Sequence, residues 1–175
     1  MNTNDRLKSV DASMSSWQLG APELSAQDVL LMRLLRVASQ GITACVDPVL
    51  RSAGLTESSY HTLIIVMAAG VEGTTPTALC TQVGQAAANM TRILEVLRGE
   101  GLIDIRLDSR DGRRRHVFIT KLGTSVVQGY AGRLSPIVSA ALAGISAKDK
   151  ATFERLLRAI VASLDKAEAM AGGAA

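Results

Sequence analysis

Residues 84–123 read GQAAANMTRILEVLRGEGLIDIRLDSRDGRRRHVFITKLG, and their punctuation leaves few folds open. An apolar repeat of helical period runs from about Gln85 to Glu100, and Gly101 stops it as a C′ glycine. Residues 102–107 then alternate, with Ile103, Ile105 and Leu107 on one face and Leu102, Asp104 and Arg106 on the other, which is a strand. Asp111-Gly112 is a turn dipeptide, and residues 115–119 return with Val117 and Ile119 on one face. Thr120 then caps a further helix. Five arginines (Arg106, Arg110, Arg113, Arg114, Arg115) stand in this hairpin against Asp108 and Asp111, an excess equal to the chain's formal net charge of +3. A modest total charge concentrated on one loop implies a localised anion contact.

Upstream, Thr75 is an N-cap and Pro76 fits the first helical position of a short helix that packs Ala78, Leu79 and Val83 inward. Gly84 makes the turn into the next helix. Two short helices about a glycine turn, followed by a hairpin, predict a winged helix-turn-helix. Longer helices flank it. The first, over 28–50, repeats Leu30, Leu31, Leu34, Leu35, Ala38, Ile42 and Cys45 at helical spacing. Thr56 opens a second, with Ser59 three residues on and Leu63, Ile64, Val66 and Met67 on its buried side. A helix from Thr120 to about Ala143 contains Pro136 and is expected to kink there. Ser146 and Asp149 open the last, which carries Phe153, Leu156, Leu157, Ile160, Val161 and Leu164.

The expected fold is therefore mainly α with a small β-hairpin, a winged helix-turn-helix between N- and C-terminal dimerisation helices. The organisation read is a flexible arm over 1–27, a dimerisation helix over 28–52, the winged lobe over 53–122, C-terminal dimerisation helices over 123–170 and a disordered tail over 171–175. Leu30, Leu34, Leu156, Leu157, Ile160 and Leu164 are the expected dimer interface, because the first and last helices are apolar more broadly than one monomer's core needs.

Composition narrows the function. The chain is 47% hydrophobic but only 3% aromatic, which favours helices over a sandwich or barrel. A pI near 9.1 permits nucleic-acid binding. Two cysteines, Cys45 and Cys80, are too few for a disulfide framework and read as buried, inert thiols in a reducing cytosol. The polar residues 1–16 do not read as a signal peptide, and the longest apolar run, 63–71, is too short for a bilayer; a cytoplasmic protein with no membrane partner is expected. His61 and His116 are remote, with no metal-ligand spacing, so no metal or cofactor is expected. No phosphate loop, paired carboxylates or nucleophile–base arrangement suggests an enzyme.

Gln85, Asn89 and Arg92 are spaced four and three apart and share one helix face, with Met90, Ile93, Leu94 and Leu97 opposite. Gln and Asn can pair bidentately with adenine and Arg with guanine, while Ala86, Ala87 and Ala88 allow close approach to double-stranded DNA. Thr75, Thr77, Thr91 and Ser109 complete the DNA-facing set. Arg110, Arg113 and Arg114 of the wing would meet the backbone or minor groove, with Asp108 and Asp111 orienting them. Trp17, Arg36, Tyr60 and His61 form a candidate ligand pocket, with Trp17 stacking, Arg36 pairing an anion and His61 hydrogen-bonding.

From about Asp28 to Lys166 the chain resembles the MarR family of bacterial transcription regulators. The resemblance rests on Asp108-Ser109-Arg110-Asp111-Gly112-Arg113, similar to the family's D-x-R-D-x-R wing, and on Ile119-Thr120-Lys121-Leu122-Gly123, similar to its L-T-x-x-G. Asn89-Met90-Thr91-Arg92-Ile93 is similar to the branch regulating multidrug efflux pumps. The resemblance implies a homodimer on a roughly palindromic operator, usually a repressor, released by a small aromatic or phenolic ligand. Gln85 and Ala86 stand where family members often carry the Ser or Thr that caps the recognition helix. Two alternatives remain at this point: a winged-helix protein-interaction module without sequence-specific DNA binding, and a thiol-based redox-sensing regulator.

Overall fold

Residues 2–20, 23–107 and 114–172 are described by the computed structural model, residues 15–20 through their backbone alone. They form α1 (Thr3–Gly20), α2 (Ala26–Arg51), α3 (Glu57–Ala68), a 3-10 turn (Gly70–Glu72), α4 (Pro76–Val83), α5 (Ala87–Gly99), β1 (Ile103–Leu107), β2 (Arg115–Ile119), α6 (Lys121–Ala141) and α7 (Ala147–Gly172). The chain divides into two compact units, residues 1–137 and 138–175.

In the first unit local chemistry sets most boundaries. Thr56 and Ser59 make a reciprocal capping box at α3, and Thr75 accepts from the Ala78 N–H at α4, with Pro76 in the first turn. Gly84 ends α4 in the left-handed conformation, φ 67°, which an L side chain would resist. α5 begins at Ala87, two residues later than the sequence suggests, and its N-cap Ala86 has no side chain to bond the first amides. The hairpin pairs antiparallel from Ile103 opposite Ile119 to Leu107 opposite Arg115. Thr74 extends this sheet, exchanging two backbone bonds with Val117 at 2.7 and 3.1 Å.

The core gathers around Leu50, Leu63, Val66, Leu79, Leu97 and Val117, all fully buried. On α3, Thr62 takes the inward place expected for Ile64, which is 37% exposed. At 100° per residue Ser59, Thr62, Leu63 and Val66 share one face, and the Thr62 hydroxyl donates to the Ser58 carbonyl at 2.8 Å, so its burial leaves no unmet bond. Where α6 begins, Thr120 Oγ1 donates to the Gly101 carbonyl at 2.8 Å and accepts from the Gly123 N–H at 3.0 Å. A Cβ on Gly123 would stand 2.1 Å from the Leu102 carbonyl oxygen, so only glycine fits. These two contacts explain the Thr120-x-x-Gly123 spacing.

Several expectations are corrected. Residues 3–20 are helical and not a flexible arm: α1 lies along α2, with Val10 only 4% exposed and Thr3 against Gly41. Cys45 is exposed and Cys80 half-buried, so only Cys80 has the sheltered position expected of both. Cys45 shares its outward stripe on α2 with Leu31 and Ile42, 49% and 53% exposed, which no described element covers. By length and composition α2 is also apolar enough to cross a membrane, the one such helix among the described residues. Arg33 and Arg36 sit within it, where a bilayer centre would cost about 2.5–3.5 kcal/mol each, and its Gly41 is a protein-packing contact.

In the second unit α7 is opened by Ser146, which accepts from the Asp149 N–H at 3.2 Å and donates to its carboxylate at 2.6 Å. The helix runs through Gly172, past the 171–175 boundary expected for a disordered tail; residues 173–175 lie outside the description. None of its residues is buried, although Phe153, Leu156, Val161 and Leu164 are 43–64% exposed apolar groups on a 26-residue helix.

Candidate nucleic-acid interface

The two faces of α5 separate as its sequence requires. Met90, Ile93, Leu94 and Leu97 are buried, while Ala87, Ala88, Asn89, Thr91 and Arg92 are exposed. Arg92 makes no hydrogen bond or ion pair among the described residues, so its guanidinium is available. The Thr91 hydroxyl instead bonds back to the Ala87 carbonyl at 2.9 Å, which leaves its methyl as the outward group.

Gln85 has a different place from the one expected of a base-reading residue. It precedes α5, is half-buried, and its Nε2 donates to Ser58 Oγ of α3 at 3.3 Å. Its Oε1 accepts from Asn89 Nδ2. A hydrogen-bond chain Ser58–Gln85–Asn89 thus runs from the scaffold to the exposed face. Asn89 keeps its Oδ1 and its second amide hydrogen, the acceptor–donor pair that adenine's N6 and N7 match. The sequence offered only the four-residue spacing of Gln85 and Asn89; Ser58 lies 27 residues away and had no local signal.

Beside α5, Thr77 is exposed at the start of α4, whereas the Thr75 hydroxyl is committed to its cap. Ala86 is exposed between the helices. Of the wing arginines, Arg114 and Arg115 are exposed at the root of β2. Asp108, Ser109, Arg110, Asp111 and Arg113 lie outside the described residues. Arg106 is not part of the wing's open charge. Its Nε donates to Asp104 Oδ2 at 2.8 Å, and its guanidinium lies 4.9 Å from the Phe118 ring centroid. That hydrogen bond, with the charge of Arg106 beside it, holds the Asp104 carboxyl below the usual carboxylate range. His116 continues the stack on Phe118 and meets the Glu72 carbonyl at 3.2 Å, joining the hairpin to the 3-10 turn.

The residues expected to form a ligand pocket are dispersed. Tyr60 is 7% exposed in the core, its hydroxyl donating to the Val127 carbonyl at 3.1 Å, and burial raises its pKa above the ordinary 10.0. His61, the next residue, points to solvent. Arg36 lines a cavity between α1 and α2 that neither touches. The side chain of Trp17 lies outside the description. Among the described residues no group of His, Cys, Asp and Glu could hold a metal.

A helix-turn-helix with an exposed amide and guanidinium on its second helix, flanked by a basic hairpin, defines a winged-helix DNA-binding regulator. No family model matches the chain. The chain is 23% identical over 142 residues to the transcriptional repressor MprA of Escherichia coli K12, covering 81% of each protein. Among solved structures it is similar to the MepR–DNA complex of S. aureus (TM-score 0.69, 20% identity, 74% of this chain and 95% of that one). It is also similar to a probable transcriptional regulator from Pseudomonas aeruginosa (0.65, 27%, 74% and 96%). A third likeness is to the PcaV regulator of Streptomyces coelicolor with its natural ligand (0.67, 23%, 75% and 92%). The chain thus shares its winged-helix fold with these transcriptional regulators.

Proposed function

We propose that the chain is a homodimeric repressor that reads a roughly palindromic operator and leaves it when a small aromatic or phenolic ligand binds. The observation that carries this reading is the Ser58–Gln85–Asn89 chain with Arg92 one turn on: a base-reading amide held in place on an exposed helix face. In this reading Asn89 and Arg92 specify bases, and Ala86, Ala87 and the Thr91 methyl line the close approach. Thr77 and the wing's Ser109, Arg110, Arg113 and Arg114 meet backbone and minor groove, with Asp108 and Asp111 orienting the arginines. Thr75 and Gln85 act by placing α4 and Asn89.

The dimer is supported by two uncovered apolar faces. α7 buries none of its residues, and α2 leaves Leu31, Ile42 and Cys45 outward. Leu156, Leu157, Ile160 and Leu164 form the α7 face, with Leu30 and Leu34 half-exposed on α2. Two-fold symmetry then sets half-sites about one helical turn apart. A partner that is chromosomal DNA places the protein in the cytoplasm. The likeness of Asn89–Ile93 to regulators of multidrug efflux pumps makes an efflux operon the first target to try.

The test is fluorescence anisotropy of a labelled duplex from upstream of the protein's own gene, against a scrambled duplex, at two salt concentrations. Tight, salt-dependent, sequence-selective binding that a phenolic compound relieves is expected. Salt-insensitive binding to either duplex would replace this reading with a protein-interaction module.

A further inference from the structure

The exposed face of α5 carries a carboxylate that the roles of Asn89 and Arg92 leave unexplained. At about 100° per residue the buried Met90, Ile93, Leu94 and Leu97 centre on one direction, and Arg92 and Glu95 stand about 30° to either side of the opposite one. Asn89 and Thr91 lie towards the two edges, and Val96, 48% exposed, stands beside Asn89. Glu95 therefore faces away from the core as directly as Arg92 does. It makes no hydrogen bond or ion pair among the described residues, although Arg92 and Arg98 each stand three residues away, a spacing at which helical charges can pair. Arg98 acts on Asp104 of β1, where its charge adds to the Arg106 hydrogen bond that lowers that carboxyl. A surface suited to meet phosphates has an unneutralised negative charge near its centre.

The chemistry of the duplex limits what such a charge can do. DNA carries one negative charge per about 1.7 Å, so a carboxylate facing it weakens binding to every sequence unless a donor meets it. In the major groove guanine offers only acceptors, thymine an acceptor and a methyl, and adenine sets N7 beside its N6 amino group. Cytosine N4 is a donor with no acceptor on its own edge, and it is the base a carboxylate fits. Placement follows from the helix rise. Glu95 is three residues beyond Arg92 and six beyond Asn89, about 4.5 and about 9 Å along α5. At about 3.4 Å per base pair, that is roughly one to two pairs from the base of Arg92 and roughly two to three from that of Asn89.

We propose that Glu95 is a further specificity-determining residue of α5, accepting from a cytosine N4 amino group roughly one to two base pairs from the base that Arg92 reads and repelling the other bases there. This deepens the operator-reading function proposed above and rests on it. Asn89 and Arg92 add affinity for the right base, whereas Glu95 acts by making every wrong site worse.

Selection of the full chain's preferred sites from a randomised duplex pool, followed by anisotropy on the selected duplex, tests it. Arg92→Ala marks one position by the guanine preference it loses. Glu95→Ala is expected to lose at least about fivefold of a cytosine preference at a neighbouring position, to keep the guanine preference, and to bind scrambled duplex more tightly than the wild type. Glu95→Gln, whose amide pairs with adenine, should move that preference from cytosine to adenine. Ala and Gln are strong helix formers and position 95 is exposed, so circular dichroism should be unchanged in both variants. A wild-type site with no cytosine near the Arg92 position, or a Glu95→Ala selection identical to that of the wild type, overturns the proposal and leaves the regulator reading in place. Loss of the guanine preference instead would make Glu95 a brace for Arg92, and an equal loss on every duplex would make it a brace for α5; either result overturns the proposal. If the wild type enriches no sequence, the regulator reading itself fails and takes this proposal with it.

Discussion

At the scale of single residues, the proposed interface divides between side chains that would read and side chains that hold. Asn89→Ala and Arg92→Ala should each reduce discrimination between operator and scrambled duplex by about 1–3 kcal/mol, measured by competition anisotropy. Ser58→Ala removes only the anchor of Gln85 and should erode discrimination less, with the salt slope unchanged; an effect equal to Asn89→Ala would mean Ser58 itself reaches DNA. Tyr60 is a holding residue of another kind. Tyr60→Phe deletes its bond to the Val127 carbonyl and should cost about 1 kcal/mol in urea unfolding. Its raised pKa fixes the sign of the pH effect. Stability from the neutral phenol is fully present below about pH 10, the unfolded value, and is lost as pH rises through the higher folded value. Tyr60→Phe should therefore flatten alkaline unfolding, and an unchanged alkaline profile would remove Tyr60 as its cause.

At the scale of elements, what was legible was local. The Thr56 and Thr75 caps, the Gly84 turn, the Gly101 stop and the 115–119 strand all act within a few residues, and each stands where the sequence puts it. What was not legible depends on distant partners. α1 has almost no amphipathic pattern, and its contact with α2 across 34 residues, as in the Arg6–Gln40 bond, has no local sign. The Asp104–Arg106 pair was readable, since two residues apart on a strand share a face; counting it would have removed Arg106 from the wing's open charge. The uncapped start of α5 gives a direct test. Ala86→Ser supplies the missing acceptor and should stabilise the protein by about 1 kcal/mol, read as a higher Tm. No gain would mean the first amides of α5 are already satisfied.

At the scale of the whole molecule, the proposed function needs two copies and a charged grip. Leu156→Lys with Leu164→Lys should shift sedimentation equilibrium from dimer to monomer, and operator affinity should fall with it, because one half-site then binds alone. A dimer that survives both lysines would place the interface elsewhere. Arg113→Ala should weaken binding to every sequence and lower the salt slope by about one, as loss of one phosphate contact does. Between the core and this grip lies Gly123. α6 begins against the Leu102 carbonyl at the foot of β1 with only a hydrogen between them. A packed joint without a compressible side chain has no slack. Any side chain at position 123 would have to push the start of α6 off the foot of β1, so the spacing of hairpin and helix is set by backbone against backbone.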